Sequence, residues 1–462
     1  MAYTKNAVHA AVTIYLRPST LLPALVLLAG PAVSPVAHSQ AVLEEIIVTA
    51  RKREESIQEV PVSVTSIGRE LREASLRRLE DIQSFTPNVY IRNTAGIPGG
   101  AAISIRGVSY QETDKTLDPS IGVVMDGLYL GASSGSLLQN FDIQRMEVLR
   151  GPQGTLFGKN TTGGVLNVIR GDVTKSWGGS AIGTVGEQGR EDFRGVLNAP
   201  IIEDELGVKL FLASINSDGW VDNSTTGDDA WGDDKLNYGF ATEWEPNDNF
   251  TIRFHYEHMD DKTDTGAYTN MNQPEDLACI LEGFGFWPIG CQASDPGSDE
   301  DNNSTNARNL NDSEYDTYIV TVNWDLGDFV LTSITGRREM DEEYRIEFDG
   351  SPANLLYFDY FNDWNQTSQE LRITSDFDDT PWEFVAGVFY WDVGYEQRWN
   401  VHELNYTLEL LGIPQGNPPF SLTPNSINYN GQNQDTESWA VFGQVDYALT
   451  DQWTLTAGIR YT

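Results

Sequence analysis

From residue 175 onward the chain is written in a period of two, with connections of two unequal kinds, and no other feature restricts its fold as much. Trp453, Leu455, Ala457, Ile459 and Tyr461 fall on one side of a strand, and Thr454, Thr456, Gly458, Arg460 and Thr462 on the other. Ile252, Phe254, Tyr256 and His258 oppose Thr251, Arg253, His255 and Glu257 in the same way. Such alternation, with aromatic residues near strand ends, marks strands with one face against lipid. Short acidic or Pro/Gly-marked turns are expected at 201–205, 245–248, 325–328, 376–381 and 450–451. They alternate with a tight turn near Gln188-Gly189 and with long polar stretches, expected to be loops, at about 218–235, 261–314, 342–363 and 395–434. Short turns at one end and long loops at the other suit an outer-membrane barrel, whereas a soluble sandwich has no reason to sort its loops.

After residue 40 no apolar run approaches the roughly 18 residues of a spanning helix. Closed barrels are the other way to satisfy backbone groups in lipid. The pattern gives eleven strands, the last reaching Thr462. Single-chain bacterial barrels have even counts and plugged transporters reach about 22, so the sequence is expected to hold about half of such a barrel.

Before the barrel, Asp142–Ile169 carries glycine at 151, 154, 158, 163 and 164 between two short strands, 145–149 and 165–169. This density of glycine predicts a compact, folded-back unit. Further strands are expected at 61–65, 102–105 and 122–125. A helix is expected over 69–85, with Leu71, Leu76, Leu79 and Ile82 on one face and Pro87 ending it. The result is a small α+β domain over 51–174, with 14 basic and 14 acidic residues. Of the 68 acidic residues, Glu44 and Glu45 precede that domain, which leaves 52 for 175–462. The whole formal charge of −38 therefore sits in the barrel part, which sets aside nucleic acid as a partner.

Residues 1–39 hold Lys5, Arg17, the apolar run Leu21–Ala29 and the ending Ala37-His-Ser39, the layout of a secretory signal cut before Gln40. Immediately after it, within 40–50, stands Glu44-Glu45-Ile46-Ile47-Val48-Thr49-Ala50, followed by Arg51-Lys52-Arg53. A short β-prone segment with polar flanks suits strand addition to another protein.

Ile103-Ser-Ile-Arg106-Gly107, Val124-Met-Asp126-Gly127, and Glu147-Val-Leu-Arg150-Gly151-Pro152-Gln-Gly154-Thr-Leu-Phe157-Gly158 with Gly163-Gly164 together closely resemble the plug domain of TonB-dependent outer-membrane receptors. The resemblance extends over the whole mature chain. It implies an α+β plug domain inside an antiparallel transmembrane β-barrel. Residues 44–50 then serve as the box by which the TonB energy-coupling protein pulls on the plug. It also implies that Arg106 and Arg150 lock the plug to carboxylates of the inner barrel wall. The function implied is active transport of a scarce nutrient, most often a ferric siderophore, with cobalamin or a glycan as alternatives, by a monomer in outer-membrane lipid. Ligand contacts are expected from plug apices near 93–100 and 109–119 and from the long loops.

No catalytic or cofactor constellation accompanies this. Gly158-Lys159 fails as a phosphate loop because Gln153 and Asn160 stand where Gly and Ser or Thr are required. The stretch 299–310 fails as a calcium loop at Ser304 and Leu310. No metal site is expected from the five scattered histidines. Cys279 and Cys291, in the longest loop, are expected to form a disulfide in an oxidising exterior, worth roughly 3 kcal/mol for so short a loop. Two competing readings remain. A passive porin would lack both plug and box, and a secreted glycan-binding or hydrolytic β protein would not partition into the outer membrane.

Overall fold

The computed structural model describes residues 10–16, 45–68, 70–71, 78–93, 100–109, 115, 117–132, 141–263, 302–303, 305, 310–347, 350, 356–377, 380–403, 427–450 and 452–462. Among them, eleven long strands from Gly178–Val185 to Trp453–Tyr461 pair antiparallel, each with the next in the chain. Their turns fall where the sequence places them, for example between Glu191–Ile202 and Leu206–Asn216, and between Asn311–Asp325 and Phe329–Glu347.

The strands themselves run further than expected. In two of the stretches read as loops, 342–363 and 395–434, the residues 342–347, 356–363, 395–403 and 427–434 are strand. Phe329–Glu347 pairs with Leu356–Ser375 out to Glu347 opposite Tyr357, and Trp382–Glu403 pairs with Ile427–Thr450 out to His402 opposite Ile427. Past the edge of the lipid, water replaces hydrocarbon on the outward face. The outward residues there need not be apolar, so the alternation that betrays a strand fades while its backbone ladder continues.

Exposed aromatic residues mark the lipid band. Trp244, Trp324, Trp382 and Trp453 stand near the short turns, and Tyr390, Trp439 and Tyr461 stand further up the strands. Trp382 and Tyr390 are separated by about eight residues, ~26 Å along a strand, which is close to the apolar height of an outer membrane once tilt is allowed for. Ala10–Leu16, inside the expected export signal, lies antiparallel on Gly178–Val185. An edge strand offers a row of unpaired donors and acceptors, and a β-prone segment fills it.

The plug stands inside the curve of this sheet. Its centre is a five-stranded sheet in the order Val64–Ile67, Ile143–Arg150, Gly164–Arg170, Ile121–Met125, Leu128–Leu130. Gly164–Arg170 and Ile121–Met125 are parallel and the other neighbours antiparallel. Ile67, Ile103, Ile105, Met125, Met146, Leu166 and Val168 make its core, joined by Ile319 and Ile334 of the barrel wall. Each such side chain contributes about 1.5–3 kcal/mol when fully buried. Of the expected helix, the described residues include a 3₁₀ turn at Leu79–Ser84, with Leu79 and Ile82 buried in the core.

Two plug motifs are hairpin turns. Arg106-Gly107 and Asp126-Gly127 both have positive φ at each residue, 52° and 82° in the first and 46° and 86° in the second, and each joins two short antiparallel strands. That conformation follows the right-handed twist of the strands and favours glycine at its second position. The glycine-rich segment is folded back as expected: Gly151 N donates to Gly163 O at 3.0 Å and Gln153 N to Thr161 O at 3.0 Å.

Candidate functional site

The segment expected to be the box is docked, not free. Glu44 lies outside the described residues. Ile47–Val48 pairs antiparallel with Glu55–Ser56, and Ile57 N donates to Ile46 O at 2.9 Å. Val48 and Ala50 are buried against the plug, while Glu45, Ile46 and Ile47 are exposed. Thr49 is held by Glu147 of the plug motif: its backbone N donates to Glu147 Oε1 at 2.8 Å, and its hydroxyl lies 3.2 Å from both carboxylate oxygens. Asn167 Nδ2 and Arg145 Nε donate to the same fully buried carboxylate, at 3.1 and 2.8 Å. Glu147 thus ties the box to the centre of the plug sheet.

The basic triplet behind the box then ties it to the barrel wall. Arg51 Nη1 donates to Asp446 Oδ2 at 2.7 Å, and Arg53 reaches Asp446 and Glu383, both at 2.8 Å. Lys52 is ion-paired with Glu370, which also accepts from Arg372 Nη1 at 2.9 Å. The Lys52 ammonium lies 5.4 Å from the ring centre of Phe157 and 5.2 Å from that of Phe442. Burial pushes its pKa below the ordinary lysine range, opposed by Glu370. These groups border a cavity of about 1300 Å³ under the plug, into which Glu45 and Ile47 also face. Sequence reasoning passed over the triplet as a polar flank. Its one signal is three adjacent cations in a domain of zero net charge. Arg51 and Arg53 also pair locally with Glu55, but the barrel carboxylates they and Lys52 meet stand more than 300 residues away.

Further up, the plug is fastened at points no motif marked. Arg170 forms an ion pair with Glu257, which also accepts from Asn237 Nδ2 at 2.7 Å, with His255 Nε2 at 3.3 Å. Gly131 N donates to Gln366 Oε1 at 3.0 Å while Gln366 Nε2 donates to Tyr129 O at 2.5 Å, so one barrel amide brackets a plug strand as a neighbouring strand would. Lys115, on a plug apex, is buried and ion-paired with Glu342.

Arg106 and Arg150, expected to lock the plug, stand close enough that burial and the Arg106 charge both lower the Arg150 pKa. Arg150 Nε is buried without a partner. Among the described residues no barrel carboxylate reaches either guanidinium; the ion pairs from plug to barrel wall that are described include those of Arg51, Lys52, Arg53, Lys115 and Arg170. Cys279 and Cys291 lie outside the described residues, as do 94–99, 110–114 and most of 264–309 among the expected ligand contacts.

Comparison with known proteins agrees with this architecture. The family model for the TonB-dependent receptor plug domain matches residues 56–165, and that for the TonB-dependent receptor-like β-barrel matches 259–462. The pesticin receptor of Yersinia pestis is 24% identical over 440 residues, covering 94% of this chain and 58% of the receptor. The vitamin B12 transporter of Vibrio vulnificus is 29% identical over 139 residues, covering 29% of this chain and 22% of the transporter. Among solved structures, the ferric yersiniabactin uptake receptor of Yersinia pestis superposes with a TM-score of 0.70 at 20% identity, covering 86% of this chain and 56% of that one. The ferripyoverdine receptor of Pseudomonas aeruginosa, bound to ferripyoverdine, gives 0.67 at 14%, covering 90% and 53%. The chain thus spans a little over half the length of the relatives it matches along most of its own length.

Proposed function

The chain belongs to the TonB-dependent receptors of the bacterial outer membrane, and on that premise we propose that it takes part in energised uptake of a ferric siderophore, with Ile46–Ile47 as the handle for the energy-coupling protein. The observation that carries this reading is the docked box. Its strand has one edge paired to Glu55–Ser56, and Glu45, Ile46 and Ile47 are exposed beside the open cavity, where a partner strand can add. Strand addition supplies a grip. The Glu147 contact and the clamp of Arg51–Arg53 transmit a pull on that grip to the plug sheet and the barrel wall. The siderophore reading is supported by the relatives that align along most of this chain, which are named as receptors for pesticin and ferric siderophores, whereas the vitamin B12 transporter aligns over less than a third.

Ile47→Pro tests the handle, because proline removes the backbone donor that strand addition requires. Ile47 is 39% exposed, so its packing loss is small. Cells carrying the variant in the full-length receptor are expected to bind a radiolabelled iron chelate at the surface as before and to lose its energised accumulation. Accumulation at the unmodified rate would remove the box assignment.

A further inference from the structure

Building on the reading as a ferric-chelate receptor, we propose that the ligand of the outer lumen is an uncharged iron(III) complex bearing aromatic rings. The observation is a sorting of charge between the two faces of the same strands. Phe329–Glu347, Leu356–Ser375, Trp382–Glu403 and Ile427–Thr450 are neighbours in register, and all continue outward beyond the plug contact at Gln366. Beyond that level their lumen-facing positions are dominated by rings such as Tyr344, Tyr360 and Tyr395 and by the amides Asn362, Gln397 and Gln432. Glu342 is the one charged group among those described, and the plug's Lys115 neutralises it. The outward positions of the same segments carry Glu339, Asp341, Glu343, Asp363 and Glu396, all but Glu339 exposed, together with the cations Arg345 and Arg398.

The inner wall is also preorganised. Gln432 Nε2 donates to Gln397 Oε1 at 2.9 Å, Gln397 Nε2 to Asn362 Oδ1 at 2.9 Å, and Asn362 Nδ2 to Glu342 Oε2 at 3.1 Å. Tyr344 and Tyr360 stack at 4.9 Å between ring centres. A multiply charged ligand resting against these four strands would give up hydration, and the charges it meets on their inner face and the one beside it, Glu342–Lys115 and Lys235–Asp261, are already paired. A neutral ligand with aromatic faces and carbonyl edges loses little and gains stacking and directed hydrogen bonds. The acidic outer face adds a second filter, since it repels anions on approach.

The test uses two probes alike in size and aromatic content and different in charge: neutral iron(III) tris(benzohydroxamate) and trianionic iron(III) tris(catecholate). Their affinities for the purified full-length receptor are measured by quenching of tryptophan fluorescence. The neutral complex is expected to bind about tenfold more tightly or better. The preference should persist at high salt, where approach effects are screened and the wall decides. Gln432→Arg, at a half-buried position, is expected to narrow it by strengthening the anionic complex, with heat-modifiable mobility confirming the fold. Equal or tighter binding of the trianionic complex by the unmodified receptor overturns this proposal and leaves the uptake reading standing. Binding of neither iron complex overturns the ferric-chelate reading and this proposal together.

Discussion

The lower and upper halves of the barrel strands belong to one continuous sheet, yet they are written in opposite codes. In the half next to the short turns the outward face is apolar, with Leu371, Val388, Val441, Val445 and Leu455 exposed, and the inward face is charged, with Glu370, Arg372, Glu383 and Asp446. In the upper half the outward face is charged and the inward face holds rings and amides. The backbone is indifferent to this exchange, because its ladder is satisfied either way. What changes is the medium on each side: lipid and then water outside, the plug's cationic N-terminal segment and then the vestibule inside.

The lower inward charges provide the first way to break that comparison. Glu370 is nearly buried between Lys52 and Arg372. Glu370→Ala leaves two cations without their carboxylate, a change that costs about 3–5 kcal/mol when a buried pair is broken. The loss should fall on docking of residues 49–57. Amide hydrogen exchange of that segment in the full-length receptor is expected to accelerate by orders of magnitude while exchange in the barrel strands stays as it was. Unchanged protection of residues 49–57 would show that the clamp holds nothing.

The lower outward face provides the second. Val441 is 50% exposed in the lipid band and Asp363 stands on the upper outward face. Val441→Arg is expected to cost about 2–4 kcal/mol by placing a cation in hydrocarbon, read as a fall in the urea midpoint of the receptor in lipid vesicles. Asp363→Arg, on the same face but beyond the lipid, should leave the midpoint within about 0.5 kcal/mol or raise it. Equal losses would mean that the boundary between the two codes is drawn in the wrong place.

This inversion also explains what was legible in the sequence. Alternation such as Trp453 to Tyr461 exposed every strand where one face meets lipid, and the short turns punctuated them. Plug strands such as Ala101–Ile105 and Ile143–Arg150 were legible because Ile103-Ser-Ile and Val148-Leu are short apolar runs closed by turn residues; Val89–Asn93, Leu128–Leu130 and the hairpins at Arg106-Gly107 and Asp126-Gly127 were not read from the sequence. The upper strands were not legible, because Glu343, Asp359 and Asp363 read as loop when the clue sought is apolar alternation. The site was half legible. The box and Glu147 stood out as motifs, but nothing local says that Thr49 binds Glu147, that Lys52 meets Glu370 or that Gln366 brackets Leu130. Those pairings join residues about 100 to 320 positions apart, and only the folded plug and the sheet curved around it bring them together.

The smallest expected effect tests the upper outward face directly. Sheet register sets Asp260 opposite Glu314, Glu314 opposite Asp341, Asp341 opposite Asp363 and Asp363 opposite Glu396, a row of carboxylates across five neighbouring strands. Like charges directly opposite one another on a sheet are unfavourable by about 0.2–1 kcal/mol per pair. Asp341 has such a neighbour on each side. Asp341→Asn keeps its shape and removes two repulsions, so it should raise the urea midpoint at low salt by up to about 1 kcal/mol, a gain in the opposite sense to most substitutions. Because both partners are exposed, the gain should shrink as ionic strength rises and the Debye length falls to about 3 Å near 1 M. A loss of stability at low salt would mean that these carboxylates are held by favourable contacts and not merely tolerated. A gain that is indifferent to salt would mean that the effect is not electrostatic.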